Sequence, residues 1–568
     1  MKNIFKLSFL ALLALAFSGC DNLKLEELLD NPNEVTPDRA ELDLVFNAAM
    51  LDFKDFVDEV SDETMPYVRM TAMDGGFFYL NQDSPTSFDF LWGLAYADIL
   101  PDLNLIIDNA SDPERGLTTY SGIAKTMKAY VLFTLVDLFG DVPYSEALQG
   151  VTNPNPKADD DDAVYAAAKE LLESALADFA SPKGSLSDDL YFDGTAAAWE
   201  KLANTLLIRY HVNTRRVGGS GSAIDAIVST GKIIDASNED FQFQYGTNRN
   251  LPDSRHPYYS DGYENGGPSW YMSNYMMWQM FGDKNNEDPR LRYYFRRQDG
   301  FEDNENQFTL DCTTAPYPSH WPDGYPWCTA SGDYGDPDGE YGGYWGRSHG
   351  NADGIPPDDL KRTAWGLYPG GGAFDNLPKV IEDEDVGDDT WQVSNAGTDG
   401  ARGAGIQPIF LSSWTHFMLA EAALTMGTSG DARALFETGM RQSISKVMNF
   451  NTSVVDNAFV PSAADVDAYV NEVLARYDGA VNDEARLDIV MNECRLACHG
   501  NGLEPFNGYR RTGYPSGMEP KRENDPNDHF PRTLWYPSDF VNLNSSISQR
   551  PNVTTDRVFW DTLPGDLD

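Results

Sequence analysis

Cysteine is scarce in this chain, five in 568 residues. None stands in CxxC or CxxCH spacing, which excludes a thioredoxin-type redox motif and c-type haem attachment. Cys494 and Cys498, four apart in NECRLACHG, read as core packing or a local bridge. Positive charge is scarce too: 42 Lys and Arg face 89 Asp and Glu, a formal net charge of −47. Such a surface repels phosphate backbones and excludes nucleic acid as a ligand. The seven histidines, His211, His256, His320, His349, His416, His499 and His529, are scattered. There is no HExxH, no GxSxG and no GxxxxGK[ST], so the sequence offers no catalytic constellation. The chain is therefore read as not an enzyme, although a glycosidase needs only two carboxylates and 89 acids can supply a pair. No cofactor is expected. The Asp-rich runs at 159–162 and 333–338 could hold a structural calcium, but they lack the EF-hand order and read first as solvated acidic turns. After the N-terminus no run reaches about 18 uninterrupted apolar residues, so no membrane-spanning helix is expected.

What is present is a folded globular composition, 41% hydrophobic, 12% aromatic and 23% charged. The N-terminus is a targeting segment: Lys2 and Lys6 give the positive region, residues 7–17 the apolar core, and Ser18-Gly19-Cys20 a small-residue cleavage site ending in cysteine. Residues 1–19 are thus a lipoprotein signal peptide, with Cys20 the lipidated first residue, and residues 20–37 an acidic tether. Lipid would be the chain's sole membrane anchor, stable because several acyl chains are attached.

The most apolar stretch, residues 123–148, reads IAKTMKAYVLFTLVDLFGDVPYSEAL. Ile123, Met127, Tyr130, Val131, Leu135 and Leu138 share one helical side, and Leu132, Phe133, Val136 and Phe139 fill most of the rest. Such a helix needs partners on two faces. Its polar relief is limited to Lys125, Lys128 and Asp137, a glycine cap is expected at Gly140, and Pro143 ends it. Residues 38–60 alternate apolar and acidic residues at helical period, with the charged side expected in water. A further helix begins at Phe90, Asp162 is placed to cap another, and Thr195 opens a third.

From 238 to 408 the helical period fades into aromatics, Gly, Pro, Asn and Asp, with turn signals such as GDPDGEYGGYWG. Loops this long are usually functional. Trp270, Tyr271, Trp278, Trp321, Trp327, Tyr344, Trp345, Trp365 and Trp391 crowd this segment, too many for loops to bury. Cys312 and Cys328 share one of its loops, and a disulfide there is expected outside the cytoplasm. Helices return at 410. Leu419, Ala420, Ala423, Ala432, Phe436 and Gly439 fall at the small and large packing positions of a tetratricopeptide repeat.

Several of these pieces resemble the SusD/RagB family of surface lipoproteins. They are the helix ending LFGDVPYSEA, the turn built from Glu504, Phe506, Tyr509, Arg510, Arg511, Thr512, Gly513, Tyr514 and Pro515, the segment PRTLWYPSDF from Pro531, and VFWDT from Val558. The resemblance implies a mainly α fold: a tetratricopeptide-like scaffold of roughly four helix pairs with a loop-rich central insertion. One SusD-like domain would span 38–568, with scaffold at 38–237 and 409–500, ligand-binding loops at 238–408 and a C-terminal loop segment at 501–568. It also implies a non-catalytic cell-surface lipoprotein that binds an oligo- or polysaccharide and delivers it to a SusC-like TonB-dependent transporter. It would be lipid-anchored in the outer membrane and face the cell exterior. The family's glycan binders use an early-helix Trp, a polar residue from the preceding loop and mid-chain aromatics. Those point to Trp92, Asp74, Trp270, Trp278, Trp321 and Trp345. Trp92, on an apolar helix, reads first as core and second as a ligand platform, and Arg510 and Arg511 read as pairing with nearby acids. The alternatives are a RagB-like carrier of peptides and a secreted helical glycoside hydrolase.

Overall fold

The computed structural model describes residues 42–73, 75–112, 115–192, 194–264, 270–297, 317–322, 325, 344, 346–352, 363–377 and 397–568. Asp74, Trp345, Cys20, Cys312, Cys328 and the acidic run at 333–338 lie outside the described residues, as do Trp327 and Trp391.

The fold is mainly helical. Its first half holds α1 (Leu42–Thr64), α2 (Leu100–Ala110), α3 (Thr118–Phe139), α4 (Asp161–Phe179), α5 (Ala196–Asn213) and α6 (Gly221–Ser229). The apolar stretch at its centre forms α3, buried on almost every face between α2, α4 and α5, as its two-sided greasiness requires. It starts five residues before Ile123 and ends at Phe139, where Gly140 takes φ +68°. After it, Val142 and Asp159 bridge instead of continuing the helix.

Residues 85–110 are the one described stretch with the length and hydropathy to cross a membrane. They break into a 3₁₀ turn, an α turn over Asp89–Gly93, a π turn over Leu94–Ile99 and then α2. Here they pack on α1 and α3. The expected cap at Asp162 is two residues out of register: α4 begins at Asp161 with Asp160 at the cap position, and Asp162 sits in its first turn.

The second half holds α9 (Ser412–Met426), α10 (Ala432–Met448), α11 (Ala463–Asp478) and α12 (Asp483–Ala497). α9 and α10 cross at the repeat positions: a Cβ on Gly439 would sit 3.2 Å from the Phe417 ring and from the Ser413 carbonyl. Phe417, Ala420, Phe436 and Met440 join Tyr469, Val473 and Val490 in a core of their own.

Between the halves, β1 (Phe241–Gln244) pairs antiparallel with β4 (Ile406–Phe410), Phe241 facing Phe410 and Gln244 facing Ile406. The chain therefore enters and leaves its central segment at one place. That segment is less irregular than its composition predicts. It contains α7 (Pro257–Gly262), α8 (Asn274–Phe281) and a short pair, β2 (Phe295–Arg296) with β3 (Ala364–Trp365). The C-terminal segment likewise carries α13 (Leu503–Thr512) and α14 (Ser538–Leu543). What reads as a turn at Glu504–Thr512 is α13, closed by Gly513 at φ +77°.

A buried polar hub joins the two halves. Asp137 of α3 accepts from Arg209 Nη2 of α5 (2.8 Å), Asn507 Nδ2 of α13 (2.9 Å) and Trp560 Nε1 (3.0 Å). Arg209 Nε also donates to Glu504 (2.6 Å), and Arg511 forks onto Glu421 of α9 (2.8 and 2.7 Å). Arg510 is correspondingly occupied with the carbonyls of Arg532 and Asp137 and with Asn507.

Candidate functional site

The last turn of α1 delivers Asp62 and Glu63 to the rim of a cavity of about 230 Å³. Its other walls are Met65, Pro66, Thr71, Ala72, Gln82 and Asp83 on one side, and Tyr258, Trp270, Tyr271 and Trp365 on the other. Each wall is fixed by bonds that leave the cavity alone. The loop after α1 is held by Arg69, at φ +58°, which donates to the Glu519 carbonyl (3.1 and 2.9 Å) and to the Tyr79 hydroxyl. The backbone N–H groups of Tyr79 and Leu80 donate to Asp528 (2.9 and 3.2 Å), placing the short helix Tyr79–Gln82. Ala72 N–H donates to the Tyr271 carbonyl (2.8 Å), tying the loop to the aromatic wall.

On that wall Tyr258 stacks on Trp365 with centroids 4.1 Å apart and planes 8° from parallel, and Trp270 meets Tyr258 edge-on at 5.4 Å. Trp270 is half-buried, and the buried indole N–H of Trp365 meets no acceptor among the described residues.

The carboxylates are electrostatically unusual. The Tyr258 hydroxyl donates to Asp62 Oδ1 (2.7 Å), and the Tyr67 hydroxyl donates to Asp83. Burial pushes Asp62 up to about 7, with Glu59 and Asp261 adding like charge against the Tyr258 bond. Burial likewise raises Asp83 to about 6. Glu63 lies well above the usual carboxylate range, through burial first and then Asp83, Glu59 and Asp62. Among the described residues none of the three is in an ion pair. The acidic side of α1 is therefore not simply a solvated face: Asp58 is 8% exposed, because the central segment folds over it.

Gln82 and Asp83 are also walls of a second, more open cleft of about 600 Å³, lined by Gly75, Leu80, Asn81, Ser84, Pro85, Ser87, Trp535 and Gln549. A third cavity of about 350 Å³ contains Tyr275, Trp278 and Tyr325. There Lys284 pairs with Glu493 (3.4 Å) and Arg476 with Asp283 (3.1 Å), while Asp488 accepts from Ser516.

Of the aromatics singled out in the sequence, Trp270, Tyr271 and Trp365 share the first cavity, while the other candidate ligand platforms are separated. Trp270 lines the first cavity and Trp278 the third. Trp321 is buried beside Tyr325, its indole donating to the Lys521 carbonyl (3.1 Å). Trp92 is core, 9% exposed between Tyr96 (4.4 Å) and Phe540 (4.5 Å). Asp62, Glu63, Gln82, Asp83 and Tyr258 were not signalled. The only cue was a run of acids continuing to the end of an amphipathic helix.

The Asp159 carboxylate accepts from the N–H groups of Tyr144 and Ser145 and from the Ser145 hydroxyl, and pairs with Lys157. Among the described residues no group of three or more His, Cys, Asp and Glu is arranged to hold a metal. Cys494 and Cys498 are free thiols, not a bridge: Cys498 is buried, and its thiol is raised by burial and by Cys494.

A helix-pair scaffold thus frames an aromatic and acidic cleft of a size to take a small ligand. Two family models match the sequence: one described as starch-binding, associating with the outer membrane, over residues 45–311, and one described as SusD and RagB outer membrane lipoprotein, over 404–550. The chain belongs to the SusD/RagB family and is a nutrient-binding outer-membrane protein.

Solved structures share the fold. A SusD homolog of Bacteroides fragilis superposes with TM-score 0.61 at 16% identity, covering 92% of this chain and 99% of its own. A chitin-binding protein gives 0.60 at 20%, with the same coverage of 92% and 99%. A SusD/RagB family protein of Bacteroides thetaiotaomicron gives 0.61 at 17%, covering 91% and 99%. Among curated proteins no sequence matches the chain.

Proposed function

We propose that this protein binds an oligosaccharide without cleaving it and hands it to a SusC-like TonB-dependent transporter, while Cys20 lipid holds it on the outer face of the outer membrane. The observation that carries the reading is the first cavity, where four aromatic rings face three carboxylates and one amide. Sugar rings present flat C–H faces to aromatic planes and hydroxyls to carboxylates and amides, and a few convergent polar groups in an apolar wall are what orient a small ligand. The unpartnered indole N–H of Trp365 offers a donor to a sugar oxygen. The adjoining cleft, sharing Gln82 and Asp83, gives room for further units of a chain. The chitin-binding relative supports a glycan over a peptide as cargo.

The test is affinity electrophoresis and calorimetry against a polysaccharide and peptide panel, repeated with Trp270→Ala. Retardation by a glycan that is lost in the folded variant supports the reading. Binding of peptides alone would replace it with the RagB-like role. Burial raises Asp62 to about 7 and Asp83 to about 6, towards the range of a general acid, so the same samples are assayed for reducing-sugar release. Release that disappears in Asp62→Asn or Asp83→Asn would make the protein a hydrolase and end the non-catalytic reading.

A further inference from the structure

The cavity's lining contains no Lys, Arg or His. Its three carboxylates have no ion-pair partner among the described residues, although the chain elsewhere pairs its buried acids with care, as at Asp137, Glu421 and Asp375. Two cations lie behind the lining, and neither is paired with the three acids. Arg347 lies 3.9 Å over the outer Tyr271 ring and donates to the Asn351 carbonyl, and Lys54, two turns earlier on α1, is bound to Asp55. The other charged groups near the three are acids: Asp58, Glu59 and Asp261.

Resting on the reading of this cavity as the ligand site, we infer that it selects sugars carrying a free ammonium group, a glucosamine-type unit that is not N-acetylated, over neutral and anionic sugars. Four rings and three carboxylates around one small volume form the surroundings that stabilise an ammonium ion. The ring faces attract it by cation–π interaction and the acids by direct charge. A uronate or sulfated sugar would meet like charge in a cavity lined by three acids and no cation, inside a chain of net charge −47. The carboxylates are held partly protonated by burial, so an arriving ammonium supplies the counter-charge that the fold leaves out and releases protons.

The experiment is calorimetry with glucosamine, N-acetylglucosamine, glucose and uronate oligomers of equal length, in 0.3 M salt so that the general negative field is screened to roughly 5–6 Å. The glucosamine oligomer is expected to bind at least about tenfold more tightly than its acetylated counterpart, a difference of about 1.4 kcal/mol. Asp62→Asn/Asp83→Asn should bring the two within about twofold, the glucosamine oligomer losing more affinity than its acetylated counterpart. Glu63→Gln should reduce the preference on its own. Asp467→Asn/Asp483→Asn, two acids about 60% exposed on the second-half helices, should leave it untouched. Equal or tighter binding of neutral oligomers, lost with Trp270→Ala, would overturn the inference and keep the proposed function. Pentalysine binding more tightly than any sugar, or a preference that survives Asp62→Asn/Asp83→Asn, would overturn it as well. No binding of any oligomer would remove the proposed function with it.

Discussion

Replacing Asp137 by alanine takes the acceptor from three buried donors at once: Arg209 at 2.8 Å, Asn507 at 2.9 Å and Trp560 at 3.0 Å. The Arg209 and Asp137 side chains are 1% and 0% exposed, so water cannot take over. Breaking one side of a buried ion pair costs about 3–5 kcal/mol. Arg209 would keep Glu504 at 2.6 Å, which favours the low end, about 3 kcal/mol. The two neutral donors add about 1 kcal/mol each. The expected loss is therefore about 5 kcal/mol. Unfolding entropy of about 2.1 cal/mol/K per residue gives roughly 1.2 kcal/mol/K for a chain of this length. The loss should thus lower Tm by about 4 °C if the two halves unfold together. Scanning calorimetry of Asp137→Ala beside Asp478→Ala checks it, since Asp478 makes only a surface pair with Arg433 and should leave Tm where it is. A shift below about 1 °C in Asp137→Ala would refute the idea that this hub ties the halves. So would a double-mutant cycle with Arg209→Met showing no coupling.

The remaining predictions concern pH and close packing. Burial raises Glu519 to about 8, so the acid contributes stability that is full below its unfolded value of 4.5 and lost as pH rises through 8; Glu519→Gln should gain Tm relative to the parent between pH 5 and 8, and a pH-independent difference would refute this. His256 and His499 are each held near 3 by burial, against an ordinary 6.5. They stay neutral in the fold, so acidification from 6.5 towards 3 should lower Tm, with a shallower slope in His256→Asn. A Cβ on Gly502 would lie 2.4 Å from the Met65 N and 2.6 Å from Thr64 atoms, so Gly502→Ala should separate α13 from the end of α1 at a cost of about 1–3 kcal/mol, seen as a lower urea midpoint.

What could be read from the sequence, and what could not, divides by the range of the interaction. The two-sided greasiness of α3 dictates a central helix, because a run like VLFTLVDLF has no water-facing side. Its one awkward residue, Asp137, proves to be where the late segments meet: Glu504 and Asn507 belong to GLEPFNGYRR, and Trp560 belongs to VFWDT. Motifs more than 360 residues from Asp137 are thus held by a single buried acid, and the resemblance they carry reflects scaffold chemistry, not ligand chemistry. The cavity follows the opposite rule. Asp62 and Glu63 look like solvated helix acids until the central segment folds back over α1, and Tyr258 and Trp365, more than a hundred residues apart, become one surface only when stacked. Aromatic density announces that a surface exists but not which rings share it, so Trp270 lines the cavity while Trp92 was taken by Phe540 and Tyr96. Which carboxylates the fold leaves without a cation is legible only after folding, and the proposed ligand preference rests on it.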